Sequence, residues 1–189
     1  MDPKAQWRKT ISDKRNNLSE DFVKEASRKI ALHLFGLEEF NLSERLGLYA
    51  AFRNEPETEA IFIKSHALRK EIYYPKVDAS KKEARFFRVN ALQELKAGYA
   101  GILEPSKSKN HLSNINYLSA IVIPGVVFDQ QGNRIGLGEG YYDKLLENFH
   151  GKRIALAYEF QVVDELPQSH KDQRVDIIIT EERIIMASF

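Results

Sequence analysis

Cysteine is absent from the 189 residues of this chain, and that absence removes disulfides, thiolate metal ligands and a catalytic thiol together. It suits a reducing compartment. No stretch of about 20 apolar residues occurs, so a membrane-spanning helix is not expected. Met1-Asp2-Pro3-Lys4 does not begin the apolar run of a signal peptide. An excess of one charge is missing too. The 28 Lys and Arg face 27 Asp and Glu, a formal charge of +1, so no global field points to nucleic acid or to an anionic membrane. Any anion site must be local. The Gly-Lys-Ser/Thr of a P-loop, internal repeats and low-complexity tracts are all lacking. What remains is 43% hydrophobic and 29% charged, ordinary for a soluble globular protein. A chain of this length should bury about 70% of its unfolded surface. The expectation is a cytoplasmic monomer, one domain over residues 1–189.

Asp2-Pro3 reads as a helix start, a cap acceptor followed by a residue whose missing N–H costs nothing there. A basic helix should run from Lys4 to about Arg15, with a break at 16–19. Ser19 is the next cap, and Phe22, Val23, Ala26, Ile30 and Leu34 recur at helical spacing up to Gly36. Short apolar runs at 46–51, 71–75, 121–123, 154–157, 175–179 and 184–186 read as strands, with an edge strand at 84–89. Pro75 is expected at a strand end. Helices are expected at 58–68 and from Tyr141 to Phe149, and a mobile loop from Ser106 to Asn116. Strands separated by helices favour a three-layer α/β sandwich with a mainly parallel sheet, preceded by a helical hairpin.

Five of the ten glycines lie at 125, 132, 136, 138 and 140. Gly136, Gly138 and Gly140 alternate just before a helix. Such glycines let successive amides turn toward one anion without a Cβ in the way, and a helix start adds free N–H groups. Arg134 beside this loop can supply a bidentate phosphate contact. The plain alternative is a flexible turn feeding a helix. The spacing is not the dinucleotide fingerprint. Asp143, in the first turn, suits either the helix dipole or Mg²⁺, which takes one or two protein carboxylates and keeps waters; Asp172 is a candidate second carboxylate. Lys4 and Arg8, spaced i, i+4, share a helix face and alone read as a solvated basic stripe. Tyr49 and Glu55 say little by themselves.

The block Gly132-Asn133-Arg134-Ile135-Gly136-Leu137-Gly138-Glu139-Gly140-Tyr141-Tyr142-Asp143 resembles the signature of the 5-formyltetrahydrofolate cyclo-ligase family. Lys4-x-x-x-Arg8, Asn54-Glu55-Pro56-Glu57-Thr58, Tyr74-Pro75, Ile102-Leu103-Glu104-Pro105, Pro124 to Asp129, Ala157 to Gln161, Leu166-Pro167 and Asp172 to Asp176 follow the family's order. The resemblance spans nearly the whole chain. It implies a fold related to the sugar-phosphate isomerase and CoA-transferase group, and ATP- and Mg²⁺-dependent conversion of 5-formyltetrahydrofolate to 5,10-methenyltetrahydrofolate. Lys4 and Arg8 would hold ATP phosphates, and Arg134, Ile135, Gly136, Leu137, Gly138, Glu139, Gly140, Tyr141 and Tyr142 would wrap the nucleotide. Asp143 and Asp172 match metal-binding aspartates. Ala50, Glu55 and the loop Leu137 to Tyr141 match folate-contacting positions. Tyr142, Arg134 and Lys4 are the residues expected nearest the phosphoryl transfer. Glu139 departs from the usual small or basic residue, so it must point away from a triphosphate or repel it; Gly101-Ile102-Leu103 lacks the aromatic often found before Glu104. Two other readings of the glycine loop stay open, a phosphate-binding module without turnover and an isomerase or CoA-transferase that needs no ATP.

Overall fold

A computed structural model describes residues 3–106, 112–169 and 172–188. Asp2, the expected first cap, and residues 107–111 in the middle of the expected loop lie outside the described residues. The chain opens with α1 (Pro3–Asn16) and α2 (Glu20–Gly36), then α3 (Glu38–Leu42) and β1 (Arg45–Gly47). Next come α4 (Glu59–Ala67), β2 (Glu71–Asp78), β3 (Glu83–Arg88), β4 (Leu95–Ala97) and β5 (Leu103–Pro105). The second half holds β6 (Ala120–Ile123), β7 (Val127–Asp129), β8 (Arg134–Ile135), α5 (Tyr141–Leu146), β9 (Lys152–Leu156), β10 (Val162–Val163), β11 (Ile177–Ile179) and β12 (Ile184–Met186).

Seven strands form the main sheet in the order β12-β11-β9-β6-β1-β2-β3. The pairings β11–β9, β9–β6, β6–β1 and β1–β2 are parallel, and the two edges, β12 and β3, are antiparallel. Side chains alternate across this sheet with period 2. Leu46, Ala120, Val122, Ile154, Leu156, Ile177 and Ile179 join the cluster under α2, α3 and α4. Ile121, Ile123, Ala155 and Ile178 join the opposite cluster with Phe128, Leu146 and Phe149. Burial on both faces is why these strands read as unbroken apolar runs. The Ser19 hydroxyl accepts from the Phe22 amide at 3.2 Å, and Val23, Ala26, Ile30, Ala31 and Leu34 form the buried stripe of α2. That stripe contacts α3, α4 and β11, whereas α1 leans on β7 and β8.

Several expectations from the sequence need correcting. Pro75 sits inside β2, opposite Phe86 of β3. The Phe86 carbonyl points the other way, to the Leu112 amide, so Pro75 occupies a position where no ladder donor toward β3 is required. The helix at Tyr141 ends at Leu146, before Phe149. Arg134, expected beside the glycine loop, lies in β8 just before it. Its strand belongs to a small sheet β10-β7-β8 whose members have only two or three residues, too short to show a period. The hairpin of β4 and β5 was hidden for the same reason.

Candidate active site

In an open α/β sheet the place for a ligand is beyond the carboxyl ends of the strands, where strand order reverses. Here β1 is followed by β2 on one side and β6 on the other. The segments leaving β1 and β6 therefore splay apart at one point. Tyr49, Ala50 and Glu55 follow β1; Pro124, Gly125 and Arg134 follow β6.

Glu55 is 7% exposed. Its Oε2 accepts from the Phe52 amide at 3.1 Å, and its Oε1 is 3.7 Å from an Arg15 nitrogen. Burial raises its pKa to about 7, against the pull of Arg15 and the Phe52 amide. Tyr49 donates to the Pro56 carbonyl at 2.7 Å, while Thr58 donates to the Tyr49 carbonyl at 2.7 Å; together they fix the turn that carries Glu55. The Tyr142 hydroxyl is buried with no hydrogen-bond partner among the described residues. Burial, then the charge of Glu55, pushes its pKa well up, against Arg134. At neutral pH it is a donor without an acceptor.

Arg134 is almost fully buried. Its Nη2 donates to Asp143 at 2.8 Å and its Nη1 to the Pro124 carbonyl at 3.4 Å, and its guanidinium lies 5.7 Å from the Tyr142 ring centroid. Its Nε, also buried, has no partner among the described residues. A Cβ on residue 136 would stand 2.9 Å from Arg134 Nη1, so only glycine leaves the guanidinium its place. Gly138 (φ 107°) and Gly140 (φ 71°) take left-handed backbone that L side chains rarely adopt. Among the described residues, the amides of 137–140 donate to no other backbone carbonyl. Leu137, Gly138, Glu139 and Gly140 are exposed, Tyr141 half so and set edge-on to Tyr99 at 5.8 Å.

The N-terminal helix closes the site from above. Arg8 Nε donates to the Gly136 carbonyl at 2.9 Å, and Lys4 pairs with Asp172. The Gln173 amide donates to Asp143 at 3.2 Å, so the segment carrying Asp172 reaches the aspartate paired with Arg134. Lys4, Arg8, Arg134, Ile135, the loop 136–140, Tyr142, Asp143 and Asp172 thus come together although they span the whole sequence. Ala50 and Glu55 come from the segment after β1. The expected contribution of a helix start is the part that shrinks, because α5 is only six residues long. What the loop offers beyond that short helix is its run of amides that donate to no backbone carbonyl among the described residues.

Sequence reasoning missed Arg15 and gave no role to Gln161. Gln161 is fully buried and donates to the Gly125 and Val126 carbonyls at 3.1 and 2.8 Å, bracing the turn after β6. Arg15 donates to the same Gly125 carbonyl at 3.1 Å. A signal for Arg15 existed. At 100° per residue, positions 4, 8 and 15 fall within about 40° of one another on a helix.

Among the described residues no three acidic or His side chains converge on a metal position, and no helix is long and apolar enough to cross a membrane. Asp143 and Asp172 each engage one carboxylate oxygen, Oδ1 and Oδ2, and have the other without a hydrogen bond among the described residues. Two carboxylates with one open oxygen each suit Mg²⁺, which completes its shell with waters and phosphate oxygens.

Fold and site together define an α/β enzyme in which a buried carboxylate, Glu55, and a buried guanidinium, Arg134, both act on the Tyr142 hydroxyl beside a glycine-rich loop. The profile of the 5-formyltetrahydrofolate cyclo-ligase family matches residues 1–181. The chain belongs to that family. The 5-formyltetrahydrofolate cyclo-ligase of Haemophilus influenzae is 31% identical over 173 residues, 89% of this chain and 92% of that protein. The NMR structure of the 5,10-methenyltetrahydrofolate synthetase of Aquifex aeolicus gives a TM-score of 0.87 at 34% identity, covering 98% of this chain and 93% of that one. The synthetase of Mycoplasma pneumoniae gives 0.77 at 26% identity, covering 96% and 99%.

Proposed function

We propose that this chain converts 5-formyltetrahydrofolate and ATP to 5,10-methenyltetrahydrofolate, ADP and phosphate, with Mg²⁺. The observation that carries the reading is the convergence of two opposite charges on one buried hydroxyl. A buried carboxylate, Glu55, and the buried guanidinium of Arg134 both act electrostatically on the Tyr142 hydroxyl, which is buried without a partner among the described residues, and Arg134 stands beside the 136–140 loop that Arg8 of α1 also meets.

A formyl oxygen is a poor leaving group, so ring closure with loss of hydroxide is slow. Transfer of the γ-phosphoryl group of ATP to that oxygen makes it a good one. N10 then attacks the formyl carbon, the carbon–oxygen bond breaks, phosphate departs and the N10 proton passes to phosphate or solvent. Phosphoryl transfer asks for alignment and charge neutralisation more than for a protein nucleophile. Lys4, Arg8, Arg134 and the amides of 137–140 provide that electrostatic environment. Asp143 and Asp172 would hold Mg²⁺, whose contribution is to neutralise phosphate charge. Glu55 accepts from pterin N–H groups, Ala50 and Leu137 to Tyr141 line the folate, and the Tyr142 hydroxyl donates to the transferred phosphoryl group. Glu139 is exposed on the loop.

The test is the absorbance of the methenyl product in purified protein. Product should form only when formylated folate, ATP and magnesium are all present. Turnover that continues without ATP would refute the reading in favour of an isomerase- or transferase-type reaction, and nucleotide binding without any turnover would leave a binding module.

A further inference from the structure

Arg15, near the end of α1, is 1% exposed. A guanidinium does not shed its charge, so it tolerates burial only where its donors are matched. Its Nε donates to the Arg53 carbonyl at 3.1 Å and its Nη1 to the Gly125 carbonyl at 3.1 Å. Its Nη2 stands 3.7 Å from Glu55 Oε1. The contact is returned: Asn54 Nδ2 donates to the Arg15 carbonyl at 3.1 Å, with the Asn16 and Leu18 carbonyls at 3.4 Å. Arg53 and Asn54, at φ 49° and 56°, hold left-handed backbone that costs about 1 kcal/mol or more per residue. Such a turn persists only while something holds it, and this reciprocal clasp does.

The clasp joins the end of α1, the turn that presents Glu55 and the turn after β6. On the same face of α1, Arg8 meets the Gly136 carbonyl and Lys4 meets Asp172. We infer that Arg15 is a positioning residue: it seats the buried Glu55 carboxylate and ties it to the helix whose other end carries Lys4 and Arg8. The inference deepens the reading of Glu55 as the pterin-facing carboxylate and rests on it.

A purely structural staple and a positioning residue differ in what they do to Glu55. The groups facing Glu55 are Arg15 from α1, Tyr49 from the segment after β1, Tyr142 from α5 and the Phe52 amide of its own turn. Burial holds both tyrosines protonated. Near neutral pH, Arg15 is therefore the facing charge that favours the carboxylate.

The experiment compares Arg15→Gln, Arg15→Lys, Glu55→Gln and the Arg15→Gln/Glu55→Gln pair in the full chain. It follows kcat/KM for 5-formyltetrahydrofolate against pH at saturating ATP and magnesium. The wild type should lose activity on the acid side through a group titrating near 7. Arg15→Gln should move that limb up by about one pH unit, the low end of what an adjacent opposite charge does to a carboxylate, and raise the KM for folate more than that for ATP. Arg15→Lys keeps the charge without the planar fork; its limb should stay near the wild-type position while the folate KM rises. Glu55→Gln should lack the limb, and adding Arg15→Gln should then shift nothing further. A folded Arg15→Gln with wild-type limb and folate KM overturns the inference. Should Arg15→Gln not fold, an Arg15→Lys with unchanged folate KM overturns it instead. A wild-type limb that persists in Glu55→Gln overturns the assignment of Glu55 and the inference with it. Absence of ATP-dependent product in the wild type itself would overturn the activity.

Discussion

Replacing Tyr142 by Phe should make the protein more stable and less active. The hydroxyl is buried and has no hydrogen-bond partner among the described residues, and leaving such a group unsatisfied costs about 1–3 kcal/mol. Removing one oxygen keeps the ring beside Arg134 and disturbs little packing. The gain expected is about 1 kcal/mol, which for a chain of this length raises Tm by roughly 2–4 °C. The same hydroxyl, held protonated by burial and by Glu55, is the donor assigned to the transferred phosphoryl group. A hydrogen bond to a charged group is worth about 1.5–3 kcal/mol, so turnover should fall by about 10- to 150-fold. Scanning calorimetry without ligands gives the first quantity and methenyl product formation at saturating substrates gives the second. A variant that melts no higher than wild type and turns over at the same rate would refute both halves of the reasoning.

Three other perturbations separate the parts of the site. Arg134→Ala, alone and with Lys4→Ala, should weaken ATP by at least about tenfold while folate affinity changes by only a few-fold, as a buried charged contact is lost; calorimetric titration measures both, and ATP binding that survives in the double variant removes the phosphate assignment. Asp143→Asn should raise the magnesium concentration for half-maximal activity by about tenfold or more and lower turnover, because the oxygen left open beside the Arg134 pair is exchanged for an amide; an unchanged magnesium titration would rule Asp143 out as a ligand. Gly136→Ala places a methyl 2.9 Å from Arg134 Nη1, the far end of that side chain, so the guanidinium must shift and ATP affinity should drop while Tm changes little; a crystal structure with Arg134 unmoved on Asp143 would contradict this.

The elements that could be recognised in advance are those with enough residues to repeat a pattern. The apolar stripe of α2 and its Ser19 cap, and the runs that became β6, β9 and β11, follow from local physics: a face buried at 3.6- or 2-residue spacing leaves its mark in the sequence. β1, β11 and β12 are as short but sit in longer apolar stretches, whereas β4, β5, β7, β8 and β10, with no apolar run longer than three residues, leave none. Of the site, the alternating glycines and their flanking Arg134 and Asp143 were visible because the chemistry is local, and the family resemblance brought in Lys4, Arg8, Ala50, Glu55 and Asp172. Arg15 stayed hidden, since a basic residue in a basic helix looks like solvated surface.

Composition and periodicity by themselves determined the α/β class, the parallel-type buried strands, the absence of any thiol chemistry and the location of one glycine-rich loop. Tertiary structure decided which cations face that loop, that Arg134 is buried against Asp143, and that Glu55 lies under Arg15 and beside Tyr142. Those outcomes depend on contacts across 9 to 168 positions of the chain. Burial, which raises the pKa of Glu55 and strands the Tyr142 hydroxyl, is a property of everything packed around a residue, and no short stretch of sequence encodes it.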